Sequence, residues 1–153
     1  MEKLLSILKT MQPYAALLDS IARQESAAVT GIGQINRSHM IAGLRSSQSA
    51  PMVLIVQDDM AARRLQEELK AFLGQTVPVL PSRELTLYDT AVVSRAWEQK
   101  RLRQLYDLRR GAVNMQIMTW ESMSQRTMPP ETLLMAAFTL ETGNEYEINQ
   151  LID

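Results

Sequence analysis

The stretch from residue 51 to residue 74, PMVLIVQDDMAARRLQEELKAFLG, holds the pattern that decides the fold class. Residues 52–56 are five consecutive apolar residues, which predicts a strand buried on both faces. Asp58 or Asp59 then follows as a cap for a helix, and Gly74 ends it. The apolar side chains of this helix recur on one face: Ala62, Leu65, Leu69 and Phe72.

The same alternation of strand and helix extends in both directions along the chain. Further strands are predicted at residues 27–30, 77–80 and 112–119. Helices are predicted from Pro13, over the apolar positions between Ile35 and Leu44, at residues 94–110 and around residues 121–125. Short apolar strands that alternate with helices are typical of a parallel sheet covered on both faces, so the predicted fold class is α/β.

Composition excludes several kinds of site. The 153 residues include no cysteine and one histidine, His39, which excludes disulfides, thiol catalysis and zinc–thiolate sites and argues against a histidine-based metal centre. His39 itself lies among apolar neighbours, where packing explains it. The longest apolar run, residues 133–138, is far shorter than the roughly 20 residues that span a bilayer. With no signal peptide in the first residues, we expect a cytoplasmic protein.

Charge divides the chain unevenly. All 16 basic residues lie within residues 1–126, whereas residues 127–153 hold five of the 17 acidic residues and no lysine or arginine. The change coincides with Met128-Pro129-Pro130, which cannot continue a helix. We therefore expect one domain over residues 1–130 and the truncated start of a second module over residues 131–153.

A glycine loop at residues 28–35, AVTGIGQI, lies where a phosphate-binding loop belongs, between a predicted strand and a predicted helix. A working loop, G-x-x-x-x-G-K-[ST], needs glycines to bring backbone N–H groups to the phosphates, a lysine and a hydroxyl. Gly31 and Gly33 are present, but Ala28, Gln34 and Ile35 occupy the first-glycine, lysine and hydroxyl positions. Two interpretations stay open, a nucleotide site and a turn that keeps its glycines for backbone geometry.

Two charged features have alternative explanations. Gln57-Asp58-Asp59 follows a strand as a magnesium-binding acidic end would, but helix capping explains it as well. The helix at residues 94–110 is basic, and Lys100, Arg101, Arg103 and Arg110 form either a weak phosphate-contacting face or a solvated one. Its predicted buried stripe consists of Trp97, Leu102, Leu105 and Tyr106.

Three segments together resemble the amino-terminal, UvrB-like region of the bacterial transcription-repair coupling factors, the Mfd family. They are VTGIGQINRSHMIAGL (residues 29–44), PMVLIVQDDMAARRLQEEL (51–69) and LPSRELTLYDTAVVSRAWEQKRLRQLYDL (80–108). The last contains a proline–acid–Leu–x–Tyr–Asp stretch and the pair Arg101-Leu102. The run MPPETLLMAAFTLETGNEYEINQLID (128–153) is similar to a proline-rich turn, strand and acidic entry shared by Mfd and the excision-repair helicase UvrB.

The resemblance implies a RecA-like domain without its ATP site. Too few residues separate Tyr88-Asp89 from Ser94 for the DNA-clamping hairpin of UvrB-type proteins. It implies a non-catalytic scaffold without cofactor, which contacts other domains of an ATP-dependent translocase. UvrA would bind through the next, mostly missing, domain, and RNA polymerase and DNA through downstream modules. The alternatives are a nucleotide-binding helicase-type domain and a small nucleic-acid-binding module.

The stretch at residues 80–89 is the most family-like part of the chain. We expect Leu85 and Leu87 to be buried and the Tyr88 ring to pack inward with its hydroxyl hydrogen-bonded. Glu84 and Asp89 are then local caps or partners of arginines and not acid–base catalysts.

Overall fold

The computed structural model describes residues 2–82 and 95–146. Within these ranges the chain forms helices and strands in the following order: α1 (Glu2–Leu8), α2 (Gln12–Ala22), α3 (Gln34–Ser47), β1 (Met52–Val56), α4 (Asp59–Leu73), β2 (Val79–Leu80), α5 (Arg95–Arg109), β3 (Met115–Thr119), α6 (Trp120–Ser124) and α7 (Pro130–Ala136). None of the helices in these two ranges is long and apolar enough to cross a membrane.

The three strands form one parallel sheet in the order β1-β3-β2. Met52 lies opposite Met115 and Val56 opposite Thr119, while Val79 lies opposite Ile117. The last strand in sequence is therefore the central one. The fold is mixed α/β, with a parallel sheet flanked by helices, as the alternating pattern predicts.

The core lies between the sheet and the α3–α4 layer. Its buried members are Ala42, Ala62, Leu69, Val77, Met115 and Ile117. Helix α4 contacts all three strands, and α3 packs against α4 and α1. Gly43 of α3 lies at the contact with α1, where an added Cβ would meet the end of the Leu8 side chain. This layer covers one face of the sheet.

Helix α5 lies on the opposite face. The side chain of Gln116 points away from the core side chains of Met115 and Ile117, because neighbouring residues of a strand face opposite ways. Its amide donates to Gln104 of α5 at 3.4 Å and to the Pro78 carbonyl at 3.0 Å. The crossovers β1 to β2 through α4 and β2 to β3 through α5 run in opposite directions on opposite faces, so they share one hand, as the strong preference of parallel connections for a single hand predicts.

Three predictions about strands are wrong. Residues 27–30 form no strand but an irregular, exposed segment before α3, so β1 is an edge strand of the sheet that residues 2–82 and 95–146 form. As a result β1 is not buried on both faces, since the exposed fractions of Val53 and Ile55 are 48% and 51%. The strand implied after the prolines also differs, because Pro130–Ala136 is helical and residues 137–146 are irregular.

The predictions for the stretch at residues 80–89 mostly lie outside the described residues. This applies to Glu84, Leu85, Leu87, Tyr88 and Asp89. The start of the stretch is described and packs against the rest of the fold. Leu80 is buried, and the Pro81 carbonyl accepts a hydrogen bond from Arg101 at 2.7 Å.

Candidate functional site

The glycine loop leads into α3 without the anchor that a phosphate-binding loop has. Gly31 has φ +77°, a left-handed conformation that favours glycine, and Gly33 is the residue before the first turn of α3. A Cβ placed on either glycine would meet no atom within 4 Å. The turn therefore keeps its backbone geometry, but the strand that would hold it at the edge of the sheet is absent from residues 25–30.

The side chains of the loop do not supply what phosphate needs. Ala28 is exposed and offers no polar group, and Gln34 lies in a groove between α3 and the edge of β1. The side chain of Ile35 lies outside the described part. An amide at the lysine position carries no charge, so the strongest contact to a phosphate is lacking. Ala28, Gln34 and Ile35 therefore do not supply the groups that bind a nucleoside triphosphate and its magnesium ion.

The acidic strand end is a helix cap, as one of the two interpretations predicts. Asp58 accepts a hydrogen bond from the backbone N–H of Ala61 at 2.8 Å and from the Gln57 amide at 3.1 Å. The Ala61 bond is the main reason why the pKa of Asp58 is lowered from its usual value. Residues 2–82 and 95–146 contain no group of three or more His, Asp or Glu side chains that could hold a metal ion.

The basic helix α5 does not carry its charges as one exposed face. Arg101 is 8% exposed, and its guanidinium donates to the carbonyls of Pro81 at 2.7 Å and Ser122 at 2.9 Å. Burial lowers the pKa of this guanidinium, although an arginine stays protonated. Arg101 therefore ties α5 to the end of β2 and to α6, and the prediction that it contributes to a phosphate-contacting face is wrong.

Two other basic residues of this region are engaged with neighbours. Arg103 of α5 bonds Asp107 at 3.0 Å, and Arg110, which directly follows α5, donates to the Tyr106 hydroxyl at 3.1 Å with its guanidinium over the same ring. Lys100 is exposed beside the end of β2. The charge that would attract phosphates is thus partly neutralised within the helix.

The inward position of Arg101 was not predicted, since the predicted buried stripe contains Leu102 in its place. Leu102 is 38% exposed, whereas Arg101 takes the position between Trp97 and Leu105. The spacing 97, 101, 105 repeats every four residues, and this helical repeat is the signal that identifies position 101 as inward-facing.

His39 has the packing role that its apolar surroundings predict. Its Nε2 lies 2.9 Å from the Leu4 carbonyl, and its ring stacks on Phe72 with ring centroids 5.3 Å apart. The ring thereby links α3 to both α1 and α4.

The chain is similar to the transcription-repair-coupling factor of Myxococcus xanthus, with 24% identity over 148 residues, which cover 92% of this chain. The aligned part is 12% of that relative, so the chain spans about an eighth of its length. No family model and no solved structure matches the chain.

Proposed function

We propose that this chain is a non-catalytic interaction and scaffold module, related to the UvrB-like region of transcription-repair coupling factors, with a degenerate RecA-like fold. The observation that carries the proposal is the loop before α3, where the turn survives and the phosphate-binding side chains do not. The similarity to the Myxococcus xanthus factor extends over nearly the whole chain and supports the same conclusion.

In this proposal, the activity of a whole coupling factor belongs to other domains of such a protein. An ATP-dependent translocase would supply the movement, and further modules would contact RNA polymerase, DNA and UvrA. This unit would hold its surfaces in place for those contacts. The parallel sheet and its two helical layers provide a rigid frame for that purpose.

The arrangement of charges favours protein contacts over nucleic acid. A nucleic-acid-binding module presents several free cations along one face, because each phosphate contact releases counterions. Here Arg101 is buried, and Arg103 and Arg109 pair with Asp107 and Glu131 at 3.0 Å. We therefore propose no autonomous function in DNA binding.

A loop variant tests the proposal in the cell that encodes the chain. Gly33 has φ −61° and open space around it, so Gly33→Ala keeps the fold. In a phosphate-binding loop the added methyl would obstruct the backbone N–H groups. We expect Gly33→Ala to retain preferential repair of the transcribed strand after ultraviolet damage, whereas deletion of the gene abolishes that preference.

Calorimetry with Mg-ATP completes this test. We expect no heat of binding at millimolar nucleotide for the chain or for Gln34→Lys. In this variant Ala28 still occupies the position that needs glycine, and Ile35 the position that needs a hydroxyl. Micromolar binding by the unaltered chain, abolished by Gly33→Ala, would assign a nucleotide site and overturn the scaffold proposal. Unchanged strand preference after gene deletion would overturn its link to coupled repair.

A further inference from the structure

No strand within residues 2–82 and 95–146 pairs with the edge of β1 that faces away from β3. The N–H of Met52 donates to the Asn114 carbonyl at 2.9 Å, so Met52 faces β3. In a parallel ladder such groups alternate, which turns Leu54 and Val56 toward β3 as well. The N–H and C=O groups of Val53 and Ile55 therefore point to the open edge.

Nothing within β1 protects this edge against pairing. The strand, MVLIV, contains no charge and no proline, the usual means by which edge strands avoid other chains. The Val53 and Ile55 side chains, about half exposed, add an apolar surface beside the free backbone groups. The edge combines the two features that bind an extended peptide, a hydrogen-bonding backbone and alternate apolar contacts.

A groove of about 360 Å³ runs along this edge. One wall is β1, and the other is the face of α3 that carries Gln34, Arg37 and Ile41, three and four residues apart. At the α4 side, Arg64 is already paired with Glu68 at 2.9 Å. Arg37 is exposed at the α3 side, which makes the groove favourable for a carboxylate.

We propose that the open edge of β1 binds one extended strand of a partner polypeptide, with apolar side chains at alternate positions and a carboxylate that meets Arg37. The strand lies in the groove between β1 and α3 and extends the sheet to four strands. This inference follows from the sheet and its groove and does not depend on the proposed function.

A second copy of the chain fits this edge less well than a single strand. Pairing two β1 edges about a two-fold axis perpendicular to the sheet keeps both helical layers on the same side. Since α3 lines the groove beside β1, the α3 helices of the two copies would then compete for the same space. A strand that brings no helix of its own meets no such conflict.

Amide hydrogen exchange of the full chain tests the proposal, with a capped heptapeptide of alternating valine and threonine that contains one aspartate. We expect the Val53 and Ile55 amides to exchange at least tenfold more slowly with the peptide than without it. The same peptide with N-methylated amides on its pairing edge should give no protection. Equal protection by both peptides would overturn strand addition.

Two variants sharpen the result. Arg37→Glu should reverse the preference, so that a peptide with lysine in place of aspartate binds at least fivefold more tightly than the original. Met60→Lys, at a position that is 82% exposed and does not line the groove, should leave binding unchanged.

Protection of Val53 and Ile55 in the chain alone would also overturn the proposal. If it rises with protein concentration, the edge is covered by a second copy. If it is independent of concentration, the edge is covered by another segment of the same chain, such as residues 27–30.

Discussion

Two units of this molecule consist of a strand that leads directly into a helix, and they differ in how deeply the strand and the helix cap are buried. Strand β1 leads into α4 at the edge of the sheet, and β3 leads into α6 at its centre. All five residues of β3 are buried, whereas burial alternates along β1. The helix caps follow the same division, because Asp58 caps α4 in solvent while Thr119 and Ser122 form a buried, reciprocal capping box.

The difference shows that position in the sheet decides what a strand does. The central strand pairs on both edges and packs on both faces, and Arg101 fixes the helix that follows it. The edge strand packs on one face and leaves Val53 and Ile55 available. Substitutions in β3 should therefore cost more stability than substitutions at the exposed positions of β1, and binding should involve the open edge of β1.

The largest expected effect is the difference in unfolding free energy between isoleucine-to-alanine substitutions in β3 and in β1. Ile117→Ala removes a fully buried side chain from the core and should lower the free energy of unfolding by about 3–4 kcal/mol, from lost burial and a residual cavity. Ile55→Ala, at a position half exposed, should cost about 0.5–1 kcal/mol. Urea titrations followed by circular dichroism measure both. Equal losses would mean that the edge face of β1 is covered in solution.

The next effect concerns the guanidinium beside β3. Arg101→Leu leaves the carbonyls of Pro81 and Ser122 without their donor in a buried place, so we expect a loss of about 2–3 kcal/mol. Arg103→Leu removes only an exposed pair with Asp107 and should cost about 0.5 kcal/mol or less. Chemical denaturation again gives the values. If Arg103→Leu proved the more costly of the two, α5 would not be anchored through Arg101.

The amino-acid sequence predicts the class of the fold well because strand and helix differ in period. The strands predicted at 52–56 and 112–119 contain the observed β1 and β3, and Asp58 and Gly74 mark the ends of α4. The sequence also supports the interpretation of the loop as a turn without a phosphate site, which rests on residue type at Gln34 and needs no coordinates.

What the sequence does not predict depends on contacts between distant segments. Residues 27–30 have the composition of a strand but form none, and no local pattern indicates whether a neighbour strand is available. Composition likewise cannot distinguish the edge strand from the central one. The burial of Arg101 could be predicted only in part from the sequence. Its spacing with Trp97 and Leu105 indicates an inward position, whereas its charge argues against burial.

The smallest effect is the pH dependence of the exposed cap of the β1–α4 unit. Because the folded-state pKa of Asp58 is lowered, its carboxylate stabilises the fold fully above the unfolded value of about 3.8, and this contribution is lost as the pH falls through and below that value. Asp58→Asn keeps an N-capping side chain but cannot titrate. We therefore expect the variant to lose stability less steeply than the unaltered chain between pH 5 and pH 3, in urea titrations at each pH. Gln57→Ala is the matched control, because it removes only the Gln57 bond, which lowers this pKa less than the Ala61 bond does, and it should leave most of the slope in place. An unchanged slope in Asp58→Asn would mean that the acid sensitivity of the chain arises elsewhere and that the cap contributes through geometry and not through charge.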